Sequence, residues 1–352
     1  MDISQDKAIK TFSPHKVFIA IAIGLLATVW LFYYNLGDQK LSTIFTDLAH
    51  PNWYWFIAAI FVLLLRDIAY MFRIRNLTHR ELSVKGSIYT IILWEFASAV
   101  TPSVVGGTAV AVFILAKEGI KFGKALAYVM LTAILDNAFF LLAAPVALFA
   151  TDSNIFQIIG EREIFGMPLK VEIIFYISYG LIAVYTLLMA YGLLINPRSF
   201  KWLLLKITNN NFLNKWRHSA YELSSEMVLA SRQLTGISKS YWFKAIVSTI
   251  FIWSARYFML NCLISAFVSD SSMAVQFDIF AKQIVLWIVQ LLSPTPGGAG
   301  IAIYFLKLLF QDNTHSQGFW LSIGLIWRMF TYYAYLIAGV IIFPRWLRRV
   351  SK

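Results

Sequence analysis

Residues 88–116 read IYTIILWEFASAVTPSVVGGTAVAVFILA, and residues 278–310 read DIFAKQIVLWIVQLLSPTPGGAGIAIYFLKLLF. Both stretches are apolar, and both are broken near the middle by Pro and Gly. A helix needs about 20 apolar residues, at 1.5 Å rise each, to cross a bilayer; arms of about 10–15 residues are too short to cross alone. Such arms fit a re-entrant hairpin that enters and leaves on one side, its irregular tip buried in protein or facing a wet cavity.

Outward from these stretches, six segments read as full spans: 17–35, 53–72, 125–150, 171–195, 244–268 and 318–343. A signal peptide is the competing reading of the first, but the run is long and no small-residue cleavage site follows it. The composition agrees. Of 352 residues, 59% are apolar and 14% charged, against about 45–50% and 25% in soluble domains. The 17 Tyr and 12 Trp suit the headgroup level of a bilayer. The expected fold is all-α: a polytopic helical bundle of six spans and two hairpins, forming one transmembrane domain over 1–352.

Charge sets the orientation. Segments 1–16, 73–87, 117–124, 196–243 and 344–352 together hold 21 Lys and Arg, whereas 36–52, 151–170, 269–277 and 311–317 hold only Lys40, Arg162 and Lys170. The positive-inside rule then places both termini in the cytoplasm, in an inner or plasma membrane. Reading each broken stretch as a single span would put the basic 117–124 and 196–243 loops outside, which favours hairpins. The loop 196–243 is expected to carry one or two amphipathic helices on the cytoplasmic face. The net charge of +12 therefore belongs to membrane topology, and no nucleic-acid partner is expected. Cys262 is the single cysteine, and the five histidines are scattered. No metal site and no cofactor is expected.

Landmarks recur along the chain. Arg66 and Arg256 are 190 residues apart, Pro102 and Pro294 are 192, Gly106-Gly107 and Gly297-Gly298 are 191, and Asp136 and Arg328 are 192. Each half reads span, span with Arg, broken hairpin, span with a charge. Repeat one covers about 10–150 and repeat two about 171–345. Three full spans per half invert the second half relative to the first, and inverted repeats with broken helices are a transporter architecture.

Six ionisable residues lie within apolar stretches: Arg66, Asp67, Glu95, Asp136, Arg256 and Arg328. One such residue at the bilayer centre costs about 2.5–3.5 kcal/mol, so six facing lipid would cost about 15–20 kcal/mol. Domain stability is only about 5–15 kcal/mol, so they must pair or line a hydrated cavity. Arg66 and Asp67, one residue apart, point to different helix faces and are not expected to pair with each other. The functional reading is substrate binding: Arg forks onto phosphate and the carboxylates take an amine. The structural reading is a set of buried ion pairs fixing helix register. At the breaks, Pro102, Pro294 and Pro296 remove backbone donors. Gly106, Gly107, Gly297, Gly298 and Gly300 allow close approach. Half-helices starting just after the glycines would offer free N–H groups to an anion, with hydroxyls from Thr101, Ser103, Ser293 and Thr295. Packed kinks are the alternative.

At these residues a family resemblance enters. EFASAVTPSVVGGTAVAVFILAKEGI (95–120) and LLSPTPGGAGIAIYFLKLLF (291–310) resemble the two signature regions of the lysylphosphatidylglycerol synthase transmembrane family. That family includes the flippase portion of multiple peptide resistance factors. The resemblance implies a lipid-translocating module whose partners are membrane lipids, an anionic phospholipid or lipid-linked substrate among them, with one repeat rocking against the other. In the full-length synthases a separate soluble domain transfers lysine from aminoacyl-tRNA to phosphatidylglycerol. Here the sequence ends nine residues after the last span, so that transferase activity is expected to be absent. Many relatives carry Arg or Glu soon after the paired glycines, where this chain has Thr108-Ala-Val-Ala. Two alternatives stand beside translocation: an intramembrane lipid-modifying transferase using Glu95 or Asp136 as acid or base, and an accessory scaffold for a separate synthase.

Overall fold

The computed structural model describes residues 26, 30, 33, 46, 48–101, 104–151, 155–156, 161–164, 167–210, 213–268, 272–290, 301–310 and 316–350. Among the described residues the fold is all-α apart from one small hairpin of strands β1 (Glu161–Ile164) and β2 (Met167–Lys170), paired antiparallel with Glu161 opposite Lys170. The helices are α1 (Trp53–Leu77), α2 (Val84–Val100), α3 (Val104–Lys117), α4 (Phe122–Ala150), α5 (Val171–Ala190), α6 (Pro197–Ile207) and α7 (Arg217–Arg232). They continue with α8 (Lys239–Ser265), α9 (Met273–Gln290), α10 (Ile301–Phe310), α11 (Gln317–Arg328) and α12 (Ala334–Val350).

Among the described residues, six helical segments are long and apolar enough to cross a membrane: Trp53–Leu77, Phe122–Phe149, Val171–Ile195, Lys239–Ser265, Met273–Gln290 and Gly318–Val350. The chain is a multi-pass membrane protein. Five of these match the expected spans. The expected span 17–35 lies outside the described residues, save positions 26, 30 and 33. The sixth is α9, an arm of the second broken stretch. At 18 residues it is longer than expected because the helix begins at Met273, before the apolar run.

Local sequence explains the helix ends. Asn52 Oδ1 accepts from Tyr54 N at 3.1 Å at the start of α1. Ser83, Ser238 and Ser316 cap α2, α8 and α11 by accepting from the backbone N–H three residues on. Each cap satisfies a backbone donor that the first helical turn leaves open. Along α1, Ile57, Phe61, Leu64, Ile68 and Phe72 form one exposed apolar face; at that 3–4-residue spacing it is the face for lipid.

α1 and α8 form the most extensive helix pair, and they run antiparallel. At one end Asn52 N–H donates to Ala266 O at 2.6 Å. At the other, the Tyr241 hydroxyl donates to Leu77 O at 3.1 Å and Asn76 Nδ2 donates to Tyr241 O at 3.2 Å. The first broken stretch folds back on itself. α2 and α3, of 17 and 14 residues, pack together, with Gly86 beside the Glu118 carboxylate at their open end and Gly107 against Ser98 near the tip. Lys124 pairs with Glu81 at 2.5 Å across that open end. The 117–124 loop therefore lies at the same end as the start of α2, as a hairpin requires. α9 and α10 pack likewise, and Phe310 at the end of α10 lies under the ammonium of Lys282, at the middle of α9. α4, which follows the first hairpin, packs on α9; α12, at the end of the second half, packs on α2. In both cases a helix that follows one broken stretch packs on the first arm of the other.

In the 196–243 loop, α6 and α7 pack against each other, and α7 packs on α4. Met227 and Phe200 close over Gly192, whose missing Cβ would lie 2.7 Å from the Phe200 ring. The loop is thus a packed element, not a solvated linker.

The α2–α12 seam depends on Gly339, where a Cβ would run into the Phe96 side chain, itself buried. Gly339→Leu is expected to lower stability by about 1–3 kcal/mol through overpacking. Gly123→Ala, with open space around it, is expected to be neutral or to gain up to about 1 kcal/mol from reduced chain entropy. Thermal unfolding in detergent micelles checks both. Equal midpoints for the two variants would contradict the close approach.

Candidate functional site

α1 carries the site. Arg66, Tyr70 and Arg73 recur at i, i+4 and i+7, which places them on one face. All three are turned inward, opposite the lipid-facing stripe. The Arg66 side chain is 0% exposed and that of Arg73 2%. Guanidiniums this deep need acceptors from neighbouring elements.

Arg66 meets Asp67 through Nε at 3.1 Å and Nη2 at 2.7 Å. Their pairing corrects the expectation that adjacent residues cannot meet. The Cα positions are about 100° apart around the helix, but the long Arg side chain swings across that arc. Tyr335 of α12 locks the arrangement: its hydroxyl donates to Asp67 Oδ2 at 2.5 Å and accepts from Arg66 Nη2. Among the described residues, Arg66 Nη1 is buried without a hydrogen-bond partner.

Asp136 of α4 takes Arg73, not a residue of the predicted set. Arg73 Nη1 and Nη2 fork onto its two oxygens, Nη2 at 3.2 Å. Trp253 Nε1 donates to Asp136 Oδ1 at 2.8 Å, and Arg73 Nη1 also donates to Thr249 Oγ1 at 3.0 Å. The sequence reading had put Arg73 in the 73–87 surface segment. It lies inside the bundle because α1 runs on to Leu77 and a carboxylate waits for it. Its seven-residue spacing from Arg66 was the signal available in the sequence.

Arg256 of α8 donates from Nη1 to Glu95 Oε1 of α2 at 3.1 Å and lies 3.4 Å from the Tyr70 hydroxyl. Its guanidinium also lies 5.3 Å from the Trp253 ring centroid. Glu95 is within electrostatic reach of both Arg256 and Arg66. Tyr70 joins the groups: the guanidinium carbons of Arg66 and Arg73 lie 5.7 and 5.1 Å from its ring centroid. Arg328, at the end of α11, is buried over Tyr332 at 4.2 Å and feels the charge of Arg256. The fold therefore gathers Arg66, Asp67, Glu95, Asp136, Arg256 and Arg328 into one polar cluster, together with Arg73, Tyr70, Tyr335, Trp253 and Thr249.

The breaks are placed differently. Pro102, Ser103 and the whole of Ser293, Pro294, Thr295, Pro296, Gly297, Gly298 and Gly300 lie outside the described residues. α3 begins at Val104, so Gly106 and Gly107 sit inside its first turn and not before it. A Cβ on Gly107 would lie 3.2 Å from Ser98 Cα. That glycine therefore serves close packing of the two arms. The Thr101 hydroxyl donates back to Ala97 O at 2.8 Å. No group of three or more metal-ligating side chains occurs among the described residues.

Comparison with known proteins agrees with this architecture. The family model for the lysylphosphatidylglycerol synthase TM region matches residues 17–339. A UPF0104 membrane protein of Archaeoglobus fulgidus is 26% identical over 332 residues, covering 92% of this chain and 94% of that relative.

Proposed function

Because the chain belongs to the lysylphosphatidylglycerol synthase transmembrane family, we propose that it translocates a lipid, holding a phosphate-bearing headgroup at the buried arginine cluster while the acyl chains stay in the bilayer. The observation that carries this reading is Arg66. Its guanidinium is fully buried, yet Nη1 has no acceptor among the described residues. A buried charged donor left open costs about 1–3 kcal/mol or more, and a phosphate oxygen is the acceptor its planar fork best fits. Asp67, Glu95 and Asp136 hold the cluster together while it is empty. Arg256, Arg66 and Arg328 are the residues for the headgroup.

The architecture supports the same reading. The recurring landmarks, the antiparallel α1–α8 pair and the exchange of α2 and α9 contacts between halves fit an inverted repeat, with the cluster at its centre. The charge bias of the loops favours a plasma membrane with both termini in the cytoplasm.

Purified protein in vesicles of phosphatidylcholine with phosphatidylglycerol, doped with headgroup-labelled lipid, tests the proposal. Dithionite quenching is expected to pass the half-labelled level reached in protein-free vesicles. Native mass spectrometry is expected to retain a phospholipid. Quenching that stops at the protein-free level with every headgroup tried would refute translocation.

A further inference from the structure

A second polar feature leads away from the arginine cluster. Along α8, Thr249, Trp253, Tyr257, Asn261 and Ser265 recur every fourth residue, and all five are buried. Sixteen residues of helix span about 24 Å, most of the hydrocarbon thickness. The lower members belong to the cluster, since Thr249 and Trp253 hold Arg73 and Asp136. The upper members meet α9, whose Gln276, Gln283 and Gln290 recur every seventh residue. Asn261 Nδ2 donates to Gln276 Oε1 at 3.0 Å, Gln276 Nε2 donates to Ser265 Oγ at 2.7 Å, and Gln283 Nε2 donates to Asn261 Oδ1 at 2.8 Å.

The column is incompletely satisfied. Among the described residues the Tyr257 hydroxyl, Gln283 Oε1 and Gln290 Nε2 are buried with no hydrogen-bond partner. They comprise an acceptor, an amide donor and a hydroxyl that can be either. A metal ion would want acceptors alone, whereas water satisfies both kinds. Tyr257 neighbours Arg256 in sequence and lies within electrostatic reach of it and of Tyr70.

We propose that this column is a water-filled path carrying protons from the Ser265 end of α8 to Glu95. The rest of the inference depends on the lipid reading above. A hydronium proton passed along the waters adds to a Glu95 oxygen, turning the carboxylate into a neutral acid and opening its ion pair with Arg256. The freed guanidinium takes a headgroup phosphate. One negative charge thus replaces another, and the charge of the cavity is conserved. When the proton leaves Glu95 for water on the other side, the carboxylate reclaims Arg256 and the headgroup is released. The groups within electrostatic reach of Glu95 are Arg66 and Tyr70 of α1, Arg256 of α8 and Tyr335 of α12, with Arg73 and Asp136 beyond Tyr70. α3, packed against α2, offers only Lys117, at the far end of the hairpin.

Cys262 is the only cysteine, so Cys262→Ala gives a thiol-free background. In it, Tyr257→Cys and Gln283→Cys are expected to react with a small charged methanethiosulfonate. Ile284→Cys, buried on the same helix, is expected not to react. Infrared difference spectra of the full chain in vesicles are expected to show a protonated carboxyl band on acidification. The band should vanish in Glu95→Gln and rise several-fold more slowly in Gln283→Leu. Unreactive cysteines at both column positions, or a band untouched by Glu95→Gln, would overturn the path. Neither readout needs lipid movement, so failure of the translocation reading appears separately, in the vesicle assay.

Discussion

Asp136→Ala is expected to cost about 3–5 kcal/mol of stability, the usual loss when one partner of a buried ion pair is removed. Arg73 is 2% exposed and forks onto both Asp136 oxygens. Without them its charge stays in the bundle with only the Thr249 hydroxyl among the side chains now bonded to it. Trp253 Nε1 also loses its acceptor. A neutral replacement of both partners behaves differently, because buried pairs exchanged for apolar side chains of similar volume are often neutral or stabilising. Arg73→Met with Asp136→Leu is therefore expected to recover most of the loss. Thermal unfolding in detergent micelles measures both. An Asp136→Ala midpoint equal to wild type would mean that water reaches Arg73 freely.

Arg256→Gln is expected to slow headgroup-labelled lipid movement by about 10–100-fold, the worth of a charge-assisted contact of about 1.5–3 kcal/mol. The single change strands Glu95, so a misfolded protein would imitate a lost site. Arg256→Gln with Glu95→Gln removes both charges, so neither is left without its partner. It is expected to melt near wild type and still fail to move lipid. Wild-type rates in that double variant would remove Arg256 from headgroup binding. Arg256→Lys separates charge from shape: an ammonium keeps the charge but loses the fork, so an intermediate rate is expected.

The membrane class and the first hairpin could be read from the sequence because Pro and Gly interrupt an otherwise apolar run, a local signal; the first arm of the second broken stretch is instead long enough to cross by itself. The six charges within apolar stretches could be read because an ionised side chain facing lipid is so costly. The pairing could not. Arg73 lies where α1 turns polar, in MFRIRNL, and hydropathy alone ends the span there. Only the approach of α4 with Asp136 shows that the helix carries a buried charge one turn further. Tyr335 is one aromatic among many, and its clamp on Arg66 and Asp67 depends on a contact 268 residues distant in sequence. The glycine pair was legible as a packing device or an anion cradle, and the start of α3 at Val104 places Gly107 in the first role. The column along α8 was legible in principle, as polar residues at every fourth position, but composition averages it away within an apolar helix.

The two halves are laced through one another. Since α1 and α8 are stitched together at both tips, and each terminal helix leans on the opposite half's hairpin, they resemble the two cheeks of a riveted hinge more than a pair of rockers. Opening a seam between halves would break three lattices of contact together. The cheaper motion is for the first hairpin to slide as one piece against the riveted pair, its arms held close at Gly107.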